Sequence, residues 1–271
     1  MHKLGIVNFI NTAPVLIPFV EMGRLEGWQT IQDNPSNLNK MLKEGKIDAG
    51  LISSFSFGLN HRDYYILKDY CISATGTVGS VLLFSRKPFY DLSRARIILT
   101  NQSETSINLL YIILEYFNGF EPSYATGTFR DFETDKESDA YLAIGDEALQ
   151  LKKAAGTLFS YDLASMWYET TSLPFVFALW AIRRDAGLRD SKPLMLLKER
   201  LSISYSKGIR NLGEIAGMVC NRIPMTQGEC LSYLKGIEFD LSSLKMRGLG
   251  HFFKLLQQMG RLPEMPQLIE I

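Results

Sequence analysis

Cysteine, histidine and net charge are what this 271-residue chain has least of. Its three cysteines, Cys71, Cys220 and Cys230, form no C-x-x-C pair and are odd in number, which argues against a disulfide framework and a structural zinc site and for a reducing cytoplasm. The 29 Lys plus Arg equal the 29 Asp plus Glu, so no basic field draws in nucleic acid or an anionic membrane surface. An anionic ligand must then be held by local arrangement. The only histidines are His2, His61 and His251, none near the polar loops described below, and each reads as a surface or packing residue rather than a general base. G-x-x-x-x-G-K-[ST], G-x-G-x-x-G, G-x-S-x-G and H-E-x-x-H are all missing, which leaves nucleotide, serine-hydrolase and zinc-protease readings without support.

Long apolar runs are missing too. The longest, residues 173–182, is roughly half of what a helix needs to span a bilayer. The opening segment is apolar, but Asn8, Asn11 and Thr12 interrupt it and no small-residue cleavage site follows, so it is expected to stay in the mature protein. What is abundant is core material: 46% of residues are hydrophobic against 21% charged, enough for one large core or two ordinary ones.

Strand-like runs at residues 4–7, 28–31 and 47–52 alternate with helical patterns at 12–22 and 36–44, a βαβαβ order that predicts a mainly parallel sheet. Ligands of such sheets sit beyond the carboxyl ends of the strands. An apolar run at 78–84 closes with Ser85-Arg86-Lys87-Pro88, and a second at 174–182 closes with Arg183-Arg184-Asp185-Ala186-Gly187. The likeness predicts a pseudo-repeat of two α/β lobes with crossings near Pro88 and Gly187: lobe 1 over 1–87 and 187–271, lobe 2 over 88–186. Helical patterns at 194–206, 209–219, 226–234 and 242–259 are expected to cover the first lobe, and the Pro-broken tail to be peripheral.

Polar loops follow the strands. In Asn8-Phe9-Ile10-Asn11-Thr12-Ala13-Pro14, Asn11 or Thr12 can cap the helix that Pro14 opens, yet capping uses only one of three polar side chains in five positions. Asn11 is therefore expected to face a ligand. Asn101-Gln102-Ser103-Glu104-Thr105-Ser106 again opens a long helix, over 104–117, whose free amides and positive end suit a carboxylate or phosphate. An ordinary capping box there would want Glu or Gln where Ser106 stands, so Thr105 and Ser106 are read as binding residues. Ser53-Ser54, Gly76-Thr77-Val78-Gly79-Ser80 and Gly145-Asp146 lie at further strand ends, with capping an equal alternative for Asp146. The aromatic run from Trp167 to Phe175 walls the cleft or packs the core.

The combination Gly5-x-Val7-x-x-Ile10-Asn11-Thr12-x-Pro14, Asp48-Ala49-Gly50-Leu51-Ile52-Ser53-Ser54, Gly76-x-Val78-x-Ser80-Val81 and Ser103-x-Thr105-Ser106 resembles the menaquinone-biosynthesis MqnA family, the chorismate dehydratases of the futalosine pathway. Gly145-Asp146-x-Ala148 and Asp162-Leu163-x-x-x-Trp167-x-x-x-Thr171-x-x-Pro174-Phe175-Val176-Phe177 extend the match, which runs from residue 4 to about 180 with a weaker echo at 233–252. Ser172 departs from the Gly that the family often carries there.

The resemblance implies a fold similar to the two-lobed type II periplasmic binding proteins, adapted to catalysis in the cytoplasm. It implies loss of water from chorismate to give 3-[(1-carboxyvinyl)oxy]benzoate, with a small dicarboxylate as the only partner and no cofactor, metal, nucleic acid or membrane. The sequence leaves the oligomeric state open, a homodimer included. Aromatisation supplies much of the driving force, so positioning and polarisation can do most of the rest. On this reading Asn11 and Ser80 are the catalytic candidates, orienting the ring and the leaving hydroxyl. Asn8, Thr12, Ser53, Ser54, Thr77, Ser103, Thr105, Ser106, Gly145 and Asp146 are the substrate-binding candidates, with Thr105 and Ser106 on a carboxylate. The base is either a substrate carboxylate or a group the sequence does not identify. Two rivals stand: the sister enzyme that forms 1,4-dihydroxy-6-naphthoate, which relies on a cleft histidine, and a non-catalytic small-anion binding protein.

Overall fold

The computed structural model describes residues 1–154 and 156–271. The chain begins with β1 (His2–Ile6), α1 (Ala13–Glu21), β2 (Trp28–Gln32), α2 (Pro35–Lys43), β3 (Ala49–Ser53), α3 (Ser54–Leu59) and β4 (Tyr64–Ala74). A second series follows: β5 (Val81–Ser85), β6 (Arg96–Leu99), α4 (Glu104–Tyr111), β7 (Ser123–Thr126), α5 (Phe129–Thr134), β8 (Ala140–Ile144), α6 (Gly145–Ala154), β9 (Phe159–Asp162) and α7 (Leu163–Thr171). β10 (Phe175–Arg183) precedes four helices, α8 (Lys192–Arg210), α9 (Leu212–Val219), α10 (Gln227–Lys235) and α11 (Ser243–Gln258).

Local chemistry sets many of these boundaries. Asn34 accepts the Asn37 amide and Pro35 fills the first turn of α2, while Thr226 and Glu229 close a reciprocal capping box on α10. β3, β5 and β8 are buried at every position, as central strands covered on both faces must be. The long helix expected over 104–117 changes pitch midway, α4 passing into a π-helical turn over Ile112–Phe117.

The strands form two five-stranded sheets, ordered β2-β1-β3-β10-β4 and β7-β6-β8-β5-β9. β2, β1 and β3 pair in parallel, as do β7, β6 and β8. β10 and β5 are each reversed between two antiparallel neighbours, so the pseudo-repeat is one of topology. The expected boundaries are corrected by this pairing. Val81–Ser85 belongs to the second sheet and Phe175–Arg183 to the first, so the chain crosses before each of these strands, at 75–80 and 172–174, rather than near Pro88 and Gly187. A run of apolar residues closed by a basic pair looks the same from either side of a crossing; only pairing assigns it.

The closing helices also do more than cover one lobe. α8 lies along α1, so close that a Cβ on Gly208 would overlap the Pro14 carbonyl. A separate apolar cluster joins α9 and α10 to Ile10 and Ala13 on one side and to Leu149 of α6 on the other. The tail is tied down by edge pairing with β4, where Ile66 donates to Ile269 O at 2.8 Å and Ile271 donates back to Ile66 O at 2.9 Å.

Candidate active site

A cleft opens between the two sheets, with about 640 Å³ of empty space including its open mouth. Loops from the carboxyl ends of β1, β3, β6 and β8 meet there. The reversed strands β5 and β10 present their beginnings at the same edge, which brings in Ser80 and Phe177. Of the expected residues, Asn11, Thr12, Ser53, Ser80, Ser103, Ser106 and Gly145 line this one cavity.

Asn11 does not cap α1. The chain takes a 3-10 turn over Ile10–Thr12, the Thr12 hydroxyl donates to the Val7 and Phe9 carbonyls at 2.8 Å each, and no side chain caps the helix. Asn11 Oδ1 is left buried with no hydrogen-bond partner among the described residues. A buried amide oxygen without a partner costs about 1–3 kcal/mol, a penalty that a donor on a ligand would remove. Ser53 is fixed from outside the cleft: its hydroxyl accepts from Asn39 Nδ2 at 3.1 Å and its amide donates to Asn39 Oδ1 at 3.1 Å. Ser80 accepts a 2.9 Å hydrogen bond from the Tyr233 hydroxyl on α10, and its carbonyl accepts the Gly145 amide at 2.7 Å. Gly145 lies against the Phe9 ring, and its φ of +58° favours glycine.

The turn that carries Ser80 is held from a distance. Asp162 caps α7 through the amides of Ala164 and Ser165, and its second oxygen accepts the Gly79 amide at 2.6 Å. Ser103 caps α4 by accepting the Ser106 amide at 3.2 Å, with the two hydroxyls 3.0 Å apart. The cap expected to be spoiled by Ser106 therefore forms, through the serine hydroxyl alone.

Five expected binding residues face other partners. Ser54 donates to the Val176 carbonyl at 2.6 Å, Thr105 Oγ1 accepts the Phe55 amide at 2.9 Å, and Thr77 shares a hydrogen bond with Ser165. Asn8 Oδ1 accepts from Arg222 at 2.9 Å. Asp146 turns to the other lobe: Oδ1 accepts the Ile10 amide at 3.0 Å and Oδ2 faces Arg222 at 3.4 Å. Burial pushes its carboxyl above the usual range, against the lowering pull of Ile10 and Arg222. Asn39, Asp162, Arg222 and Tyr233 were not expected at the site. Each acts through a contact distant in sequence, 83 residues for Asp162 and Gly79, which no local pattern shows.

Several of these contacts join the sheets across the cleft. Ser36 donates to the Asn101 and Gln102 carbonyls at 3.2 and 3.1 Å, Phe55 to Thr105, and Ile10 to Asp146. The lobes are thus tied to one another beside the cleft. Trp167 and Phe175 are fully packed in the core, and Phe9 and Phe177 form the aromatic walls instead. No ionisable side chain lines the cavity among the described residues. His61 sits 3.0 Å from Glu264, His251 packs against Trp167, and His2 is beside Asp48. No group of three or more His, Cys, Asp or Glu among the described residues is placed to hold a metal, and no described helix is long and apolar enough to cross a membrane.

Residues 2–258 match the family described as menaquinone biosynthesis. Chorismate dehydratase of Thermus thermophilus is 31% identical over 94% of this chain and 95% of its own. Among solved structures, protein AF1704 from Archaeoglobus fulgidus superposes with a TM-score of 0.76 at 18% identity, covering 96% of this chain and 98% of that one. The periplasmic aliphatic sulphonate binding protein from Escherichia coli gives 0.68 at 13% identity, covering 100% and 93%. The fold is that of the two-lobed periplasmic binding proteins.

Proposed function

Since the chain belongs to the menaquinone-biosynthesis family, we propose that it is a chorismate dehydratase, a hydro-lyase that converts chorismate to 3-[(1-carboxyvinyl)oxy]benzoate and water. The observation that carries the reading is a cleft between the lobes whose polar lining groups are all neutral hydrogen-bonding side chains set among apolar ones, with one buried amide oxygen, Asn11 Oδ1, still unpartnered. Ser103, Ser106 and the amino end of α4 supply donors for a carboxylate. Asn11 and Ser80 orient the ring and the hydroxyl that leaves.

Since no ionisable side chain lines the cavity among the described residues, the base is a carboxylate of the substrate itself. It takes the ring proton beside the enol ether; the new double bond completes the aromatic ring as the neighbouring C–O bond breaks. The departing hydroxide receives that proton and leaves as water, so the protein is unchanged. Closure of the lobes keeps bulk water from the site. The sister enzyme's cleft histidine has no counterpart in this lining, which weighs against that rival. Three free, buried cysteines suit a reducing cytoplasm.

Incubating the purified protein with chorismate is expected to give an aromatic product one water lighter, identified by absorbance and mass. Chorismate bound but recovered intact would favour the non-catalytic rival, and chorismate neither bound nor consumed would end both readings.

A further inference from the structure

Tyr233 lies on α10, behind the cleft rather than in it, with its ring beside Gly79, 3.5 Å from where a Cβ would stand. Its hydroxyl reaches Ser80 Oγ at 2.9 Å. Ser80 is only 2% exposed, lines the cavity, and its hydroxyl has no other hydrogen-bond partner among the described residues. A serine hydroxyl carries one hydrogen and two lone pairs. If the phenol donates, one lone pair is filled and the single hydrogen is left for the cleft. If Ser80 donated to the phenol instead, it would have no hydrogen for a ligand.

We propose that Tyr233 is a positioning residue for the dehydration: its phenol donates to Ser80 Oγ and so commits the Ser80 hydrogen to the oxygen that leaves as water. The inference rests on the chorismate reading given above. Burial holds Tyr233 protonated well beyond the ordinary phenol range, with the Ser80 contact as the opposing influence. Tyr233 therefore keeps the hydrogen that it donates to Ser80 Oγ and is not a proton source. A hydroxyl that accepts one hydrogen bond also donates a stronger one, and the bond from Ser80 strengthens further as the leaving oxygen gains charge. The effect falls in the transition state more than in the bound substrate. α10 is anchored by Cys230 and Leu234, buried in the apolar cluster it shares with α9 and Leu149 of α6, and its start is set by the Thr226–Glu229 capping box.

Tyr233→Phe keeps the ring beside Gly79 and removes only the hydroxyl. The expected result is a fall in kcat for chorismate on the order of tenfold, with KM changed less than about twofold and the melting temperature within a few degrees of wild type. In a Ser80→Ala background there is no Oγ to orient, so Tyr233→Phe is expected to change the residual rate less than about twofold. Wild-type kcat in Tyr233→Phe overturns the proposal, as does the same loss in both backgrounds. A fall in rate with a matching fall in melting temperature assigns Tyr233 to the fold instead. Failure of the wild type itself to dehydrate chorismate overturns the functional reading, and this inference with it.

Discussion

Asp146 and Ile10 stand on opposite sides of the cleft, 136 residues apart, and the Ile10 amide donates to Asp146 Oδ1 at 3.0 Å. The bond lies one residue from Asn11 and one from Gly145, both in the lining. Arg222 reinforces it by gripping the Asn8 carbonyl at 2.6 Å while facing the other Asp146 oxygen. The contact that bridges the two lobes thus also borders the Asn11 side chain.

Asp146→Ala removes both contacts from the second lobe. KM for chorismate is expected to rise about tenfold, one charge-assisted hydrogen bond's worth, with kcat changed much less. Small-angle scattering should show a larger average radius for the unliganded variant. An unchanged KM would mean that this contact does not govern closure.

The same residue gives a pH dependence. Burial raises the Asp146 carboxyl above its ordinary value, so the folded protein binds its proton more tightly than the unfolded chain does. The associated stability is fully present below the ordinary carboxylate range and is lost as pH rises through the raised value. Thermal melts of wild type and Asp146→Asn are expected to differ most in wild type's favour at acid pH, with the gap narrowing towards neutrality. A gap that widened with rising pH would contradict the assignment.

Asn11→Ala and Ser80→Ala are expected each to lower kcat/KM for chorismate by roughly 10²–10³, the usual cost of removing one group aimed at a developing charge. Fold stability should hold in the first variant, because Asn11 Oδ1 has no partner to lose. Undiminished turnover in both would remove them from the mechanism.

Asp162→Ala strips the cap from α7 and the acceptor from the Gly79 amide. We expect a stability loss of about 1 kcal/mol or somewhat more, read by urea unfolding, together with a lower kcat because the turn carrying Ser80 is freed. Full activity at saturating chorismate would show that the turn holds its shape unaided.

Gly208→Ala tests the support beneath Asn11. The added methyl would overlap the Pro14 carbonyl where α8 crosses α1, so α8 must shift, at about 1–3 kcal/mol. Urea midpoints should fall while the unfolding slope stays constant; an unchanged midpoint would mean that the crossing is looser than described.

Much was legible in the chain itself. The βαβ alternation, the absence of a cleft histidine and the polar loops after strands all come from local rules, periods of two and 3.6 residues and capping within a turn, which act whatever the rest of the molecule does. Those rules pointed to Asn11, Thr12, Ser53, Ser80, Ser103, Ser106 and Gly145, which the structure brings to one cavity. They failed where two local fates were available. Thr105 had the composition of a binding residue, but the Phe55 amide from the other lobe claimed its hydroxyl. Asp146 could cap or bind, and instead it bridges.

Sequence alone determined the strand and helix alternation over residues 4–52, the four closing helices and which loops are polar, because those choices are settled by neighbours a few positions away. Tertiary structure alone decided that β5 and β10 each join the sheet across the crossing, that Tyr233 lies behind Ser80 and that Asp162 holds its turn. These pairings link residues up to 153 positions apart. They win through the summed burial of two cores and the need to satisfy every enclosed polar group, quantities that no short stretch of chain contains.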